Sequence, residues 1–374
     1  MSLGIYVHLP FCPYICPYCD FAKWPVQKTR AGRYLEALYC EIERAPSRRA
    51  ATIFYGGGTP NAYDAAAIAA LTRGLREHFP SPAERQEVSI EINPELVREG
   101  DFEAYVEAGI DRVSIGVQSF DPGEVHTLGR RHTPRDVERA VRQARGAGTR
   151  SISLDLIFGV PGQTAASWER SLAGAVALGV DHLSTYGLTV EPGTPYERWQ
   201  AREPGAFASQ DDEARLYEIA IDRLEAAGYR QYEISNFAQP GHECAHNRNY
   251  WANGEYLGLG VGAASYQDGV RSVHTRDLEA YLAAALAGRV IPSESERLTG
   301  TAAAGEAIML ALRTAQGVDL AGFKERYGVD VRERYGPVVT AFTRDGFLEL
   351  HDGRLALTKR GRFIANDVCG AFIE

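Results

Sequence analysis

Along the first half of the chain, short apolar or β-branched runs alternate with longer stretches in which apolar residues recur every three or four positions. The short runs predict strands over 4–8, 51–55, 88–92, 112–117, 151–158 and 182–186. The stretches between them, among them RYLEALYCEIERA, ERAVRQARGAG and WERSLAGAVALG, predict helices, and the last two end in glycine as helices commonly do. A strand followed by a helix, six times over, implies parallel pairing through right-handed crossovers.

In a barrel built this way the loops after the strands gather at one end, and chemistry sits there. Those loops hold the unusual residues of this chain. A cysteine-rich loop follows the first strand, GGGTP (56–60) the second, Asn93-Pro94 the third, Gln118-Ser119 the fourth and Gly159-Val160-Pro161 the fifth.

The cysteine-rich loop, CPYICPYC, places Cys12, Cys16 and Cys19 within eight residues, half of the chain's six cysteines. Pro10, Pro13 and Pro17 rule out a continuous helix and stiffen the loop, which lowers the entropy lost when it wraps a centre. Cys40, Cys244 and Cys369 are scattered, so a disulfide framework is a poor reading. Structural zinc favours four closed ligands, commonly two C-x2-C pairs, and no second pair is present. An iron–sulfur cluster is the other soft-thiolate centre, and three thiolates on a four-iron cluster would leave one iron open to a small molecule. GGGTP would let a backbone approach such a molecule with its N–H groups exposed.

Composition narrows the class further. The 374 residues are 45% hydrophobic and carry a net charge of −9, an ordinary soluble composition without the basic excess of a nucleic-acid groove. No apolar run approaches membrane-spanning length and MSLGIYVHLPFC does not read as a signal peptide, so the expected location is the cytoplasm, with no nucleic-acid partner.

The ordered set YVHLPFCPYICPYCDF, FYGGGTP, EINP, GVQSF, LGRRH and DLIFGVPGQT, spanning Tyr6 to Gly162, resembles the radical SAM superfamily. Within it the set resembles the branch of oxygen-independent coproporphyrinogen III oxidases and their HemW-type haem chaperone relatives. The resemblance implies a [4Fe-4S] cluster on Cys12, Cys16 and Cys19. It implies S-adenosylmethionine on the fourth iron, contacted by Tyr6, Tyr18, Gly57, Gly58, Thr59, Glu91, Gln118, Arg130 and Asp155. Glu91 would accept from the methionine amino group, Arg130 would pair with its carboxylate, and Asp155 would accept from ribose hydroxyls. The implied fold is a partial (β/α)6 radical SAM barrel over 1–290, with a small helical, winged-helix-like domain over 291–374.

Two features separate this chain from the oxidases, which carry a further cysteine where Phe21 stands and a longer arm before the first strand. A third is CAHNRNYW (244–251), which is similar to the HNxxYW motif of HemW-type proteins, whose histidine is implicated in holding haem. His246 would be an axial ligand, with Tyr250 and Trp251 beside the macrocycle and Cys244 as a rival ligand. Taken without that likeness, His246 reads as a backbone-bonding turn residue and Trp251 as core. Relatives tend to read G-A-H-S where this chain has Gly262-Ala263-Ala264-Ser265, so Ala264 removes a polar contact or second ligand. After residue 290, RLTGTAAAGEAIMLALRTAQGVDLAGFKERYG predicts two helices and GFLELHDGRLALTKRG a hairpin turning at Asp352-Gly353.

The expected function is that of a haem chaperone, binding haem and passing it to haem-requiring proteins, with membrane-bound respiratory enzymes and a homodimer among the partners the resemblance allows. The alternative is decarboxylation of coproporphyrinogen III propionates by a radical SAM mechanism.

Overall fold

The computed structural model describes residues 3–373. All six expected strands form, each within two residues of its expected bounds: β1 (Leu3–Leu9), β2 (Ala50–Gly57), β3 (Glu87–Ile92), β4 (Arg112–Gln118), β5 (Ser151–Phe158) and β6 (His182–Gly187). They pair in chain order and all in parallel, with Tyr6 beside Phe54 and Glu91 beside Ser114.

Residue type explains which way each strand faces. On β1, Ile5, Val7 and Leu9 enter the main hydrophobic core with Tyr34 and Leu38 of the helix Lys28–Arg44, while Tyr6 and His8 turn to the other face and line cavities. The same alternation puts Ile53 and Tyr55 in the core and Phe54 inside the barrel, then Val88 and Ile90 against Ser89 and Glu91. Both faces of these strands are covered, so apolar packing on one face alternates with cavity-lining residues on the other. The crossover helices are closed by local signals. Pro134–Gly146 starts at a Thr133/Asp136 capping box and Ala165–Ala177 at Thr164/Ser167, and left-handed Gly148 and Gly179 follow their ends.

The six strands are the middle of a larger open sheet of twelve. Outside β1 runs a seventh parallel strand, Tyr256–Leu259, followed by antiparallel Ala264–Gln267, Val270–His274 and Ser293–Arg297. Beyond β6 lie antiparallel Asn236–Ala238 and Arg230–Glu233. The seventh parallel strand was not expected, because YLGL within NGEYLGLGVG is short and glycine-flanked and reads as loop. A C-terminal domain has its own core, in which Ala304, Ile308 and Leu312 of the helix Gly300–Leu312 meet Leu355, Val368 and Phe372. Its hairpin, Leu348–His351 with Arg354–Leu357, turns at left-handed Asp352 and Gly353 as the sequence predicts.

Candidate functional site

The cysteine loop leaves β1 and returns beside it. Its two limbs pair at Phe11–Cys12 and Trp24–Pro25, and Trp24 N–H donates to Pro10 O at 2.9 Å. His8 is buried, with Nε2 2.7 Å from Ala22 O and Nδ1 3.0 Å from the Tyr6 hydroxyl. The glycines of β2 close the other side. Gly57 has φ +103°, and a Cβ there would stand 2.4 Å from the His8 ring. A Cβ on Gly58 would meet Pro10 backbone at 2.6 Å. The N–H groups of Gly58 and Thr59, expected to be open, donate to Leu9 O and Phe11 O at 2.9 and 3.1 Å. The glycine turn therefore seats the loop and leaves space, and those two donors are not free.

Eleven of the thirteen sequence-predicted site residues line one cavity of about 510 Å³ at the C-terminal ends of the strands. Cys12, Cys16, Cys19 and Tyr18 come from the loop and Gly57, Gly58 and Thr59 from the turn; Glu91, Gln118, Arg130 and Asp155 complete it. The thiols line one cavity without converging on a point, and among the described residues no three His, Cys, Asp or Glu side chains are placed to close on a single ion. Burial pushes the Cys12 thiol up to about 11 and raises that of Cys19, a penalty that bonding to a cationic centre would reverse.

The polar residues are held in sharply defined positions. Desolvation, then the nearby Asp155, pushes the Glu91 carboxyl up to about 8, and Gly56 leaves room for it, since a Cβ there would lie 3.0 Å from Glu91 Oε2. Asp155 is raised by burial and accepts from the Ser114 hydroxyl at 2.9 Å. Arg130 Nη2 donates to Asn93 Oδ1 at 2.9 Å and to Gly116 O at 2.5 Å, while its Nε is buried with no partner. Gln118 follows a register shift at the end of β4 and has φ +62°, a strained conformation for a residue with a side chain. Buried acidic groups beside an arginine with a spare donor suit a zwitterionic amino-acid headgroup.

Tyr6 and His246 lie elsewhere. Tyr6 lines two neighbouring cavities, one inside the barrel (about 250 Å³) and one lateral (about 400 Å³). His246, on the helix Ala245–Trp251, is 1% exposed at the inner cavity. Its Nδ1 is 2.7 Å from Thr52 Oγ1, its Nε2 2.8 Å from the Tyr250 hydroxyl, and its ring stacks on Phe54 at 5.2 Å. Burial lowers its pKa to about 3, so the ring is neutral, and in this arrangement both nitrogens are engaged. Trp251 is half-buried and lies under Arg313 at 5.3 Å. Cys244 is buried with Sγ 3.6 Å from Glu87 Oε1.

Sequence reasoning missed Asn93 as the partner of Arg130, Tyr14 as a cavity wall bonded to Glu95, Tyr186 near the end of β6, and Leu188 and Glu191 beyond it. The Asn93-Pro94 step after the third strand was the available signal for Asn93. A cleft of about 610 Å³, lined by Val160–Ala165, Trp199 and Phe207, lies away from the cysteines.

The Radical SAM superfamily model matches residues 6–173 and the HemN C-terminal domain model residues 298–364. The chain is 35% identical to the haem chaperone HemW of Bacillus subtilis over 98% of both chains. It is 40% identical to that of Mycobacterium tuberculosis (98% of this chain, 93% of the relative) and 36% to that of Escherichia coli (79% and 78%). In fold it is similar to the E. coli coproporphyrinogen III oxidase HemN, with a TM-score of 0.86 and 24% identity over 99% of this chain and 90% of that one. With near-full-length identity of this order, the chain belongs to the radical SAM superfamily and, within it, to the HemW-type haem chaperone family.

Proposed function

We propose that this chain is a cytoplasmic haem chaperone that carries a [4Fe-4S] cluster and S-adenosylmethionine, takes up haem and passes it to haem-requiring proteins, membrane-bound respiratory enzymes among them. The carrying observation is the convergence of eleven predicted contacts on one cavity in a chain this similar to named haem chaperones. Cys12, Cys16 and Cys19 hold the cluster. Glu91 accepts from the amino group of the methionine moiety, Arg130 offers its spare Nε–H to the carboxylate while Asn93 keeps the guanidinium in place, and Asp155 takes the ribose hydroxyls. When bound, the cluster and the sulfonium together supply one-electron chemistry.

His246 is the proposed axial ligand of haem. The tautomer that suits ligation has its proton on Nδ1, donated to Thr52, so that Nε2 carries the lone pair. Tyr250 holds that lone pair with its hydroxyl, and haem uptake requires Tyr250 to release it. The test is a haem titration of anaerobically reconstituted protein beside His246→Ala. The expected result is a weaker affinity and an altered Soret band in the variant; identical titrations would remove His246 from the proposal. Turnover of coproporphyrinogen III with reduced cluster and S-adenosylmethionine would overturn the chaperone reading altogether.

A further inference from the structure

The inner and lateral cavities and the cysteine cavity meet at one side chain. Phe21, just past Cys19 and 60% exposed, lines all three. The lateral cavity, about 400 Å³, lies between the exit of the cysteine loop, the antiparallel edge of the sheet and Leu310 of the C-terminal domain. Its size is that of a small-molecule site. Aromatic and aliphatic groups dominate its wall: Tyr6, Phe21, Tyr250, Tyr256 and Val273, with the Tyr250 and Tyr256 rings edge to face at 4.6 Å.

Its charges are few and placed at the rim. Arg271 is already neutralised by Glu306 at 2.6 Å and Glu296 at 3.3 Å. Arg276 is different, because among the described residues its guanidinium bonds the backbone oxygen of Asp20 alone, and the Asp20 carboxylate stands 4.0 Å off in an exposed pairing of little strength. The site thus combines an apolar slot with a cation at its mouth that can change partners. Tyr250 lines both this slot and the inner cavity that holds His246, with its ring edge to face on the His246 ring at 4.7 Å and its hydroxyl 2.8 Å from Nε2.

We infer that the lateral cavity is where the haem macrocycle sits, with a propionate on Arg276 and the iron toward Tyr250, so that withdrawal of the Tyr250 hydroxyl opens the path to His246. The inference deepens the haem reading of the preceding subsection and rests on it. Chemistry favours this occupant: a flat, largely apolar dianion buries its rings against aromatic walls and leaves its carboxylates at the cationic edge.

Ala264 lines the cavity and provides a gain-of-ligand test. Haem is titrated into full-length, cluster-loaded wild type, Ala264→His and Arg276→Glu, with absorption and electron paramagnetic resonance spectra recorded. Ala264→His is expected to add a second nitrogen ligand to that of His246 and so shift the haem spectrum towards a low-spin, bis-histidine form, and Arg276→Glu to weaken binding about tenfold, both with the cluster absorption of wild type. Since Arg276 is largely exposed, its replacement tests the site without straining the fold. If wild type binds haem and both variants reproduce its spectrum and affinity, the macrocycle lies elsewhere and this inference falls alone. If wild type binds no haem, the chaperone reading falls with it.

Discussion

The Nε2 of His246 and the hydroxyl of Tyr250, four residues apart on one helix, lie 2.8 Å from each other, so with the proton on Nδ1 the lone pair that would bind iron is occupied from within the same motif. Tyr250→Phe removes that hydroxyl and keeps the ring. Haem association followed by stopped-flow Soret absorbance is expected to quicken several-fold in the variant, against a loss of stability of about 1 kcal/mol for the hydrogen bond. A rate equal to or slower than wild type would mean that Tyr250 does not restrain the histidine.

Cys16 and Cys244 provide a paired test of the metal centre. Cys16→Ala is expected to lose most of its iron and its cluster absorption after anaerobic reconstitution, because one of three thiolates is gone. Cys244→Ala should keep wild-type iron content, since that thiol is buried beside Glu87 and outside the cysteine cavity. Iron and sulfide assays on both variants decide the assignment.

Gly57 and Gly100 both have positive φ, +103° and +86°, but only at Gly57 would a Cβ collide, with the His8 ring at 2.4 Å. Alanine at Gly100 is expected to cost roughly 1–2 kcal/mol of backbone strain alone. Alanine at Gly57 adds the clash and displaces the ring that holds Ala22, so its urea midpoint should fall further and its cluster loading should drop. Equal midpoints for the two variants would contradict this account of the turn.

Glu91 makes stability depend on pH in a definite direction. Its carboxyl rises from an ordinary 4.5 to about 8 in the fold, so the folded state retains a proton that the unfolded state gives up. Its contribution is fully present below about pH 4.5, shrinks as pH climbs and is gone above about pH 8, a loss on the order of a few kcal/mol. Thermal unfolding of cluster-free Glu91→Gln should show a smaller decline than wild type between pH 5 and 8.5, and the same decline would refute the assignment.

Much of this arrangement was legible in the sequence because apolar residues recur along each strand and the reactive residues stand within the strands or just past their ends. The residues missing from that reading are those whose role depends on a distant partner. Nothing near His246 announces Thr52, which lies on a strand 194 positions earlier, and nothing near Arg130 announces Asn93. The seventh parallel strand escaped notice because four residues between glycines carry too little periodicity to distinguish strand from loop. The glycine turn was recognised by composition, but whether its N–H groups were free or used could be learned only from where Leu9 and Phe11 point their carbonyls.

The stitching of the cysteine loop at its base, through Pro10, Ala22, Gly58 and Thr59, has a consequence for cofactor assembly. None of those ties involves a thiol, so the base of the loop is fastened independently of any cluster. A cluster on Cys12, Cys16 and Cys19 would then enter a mould whose rim is already cast.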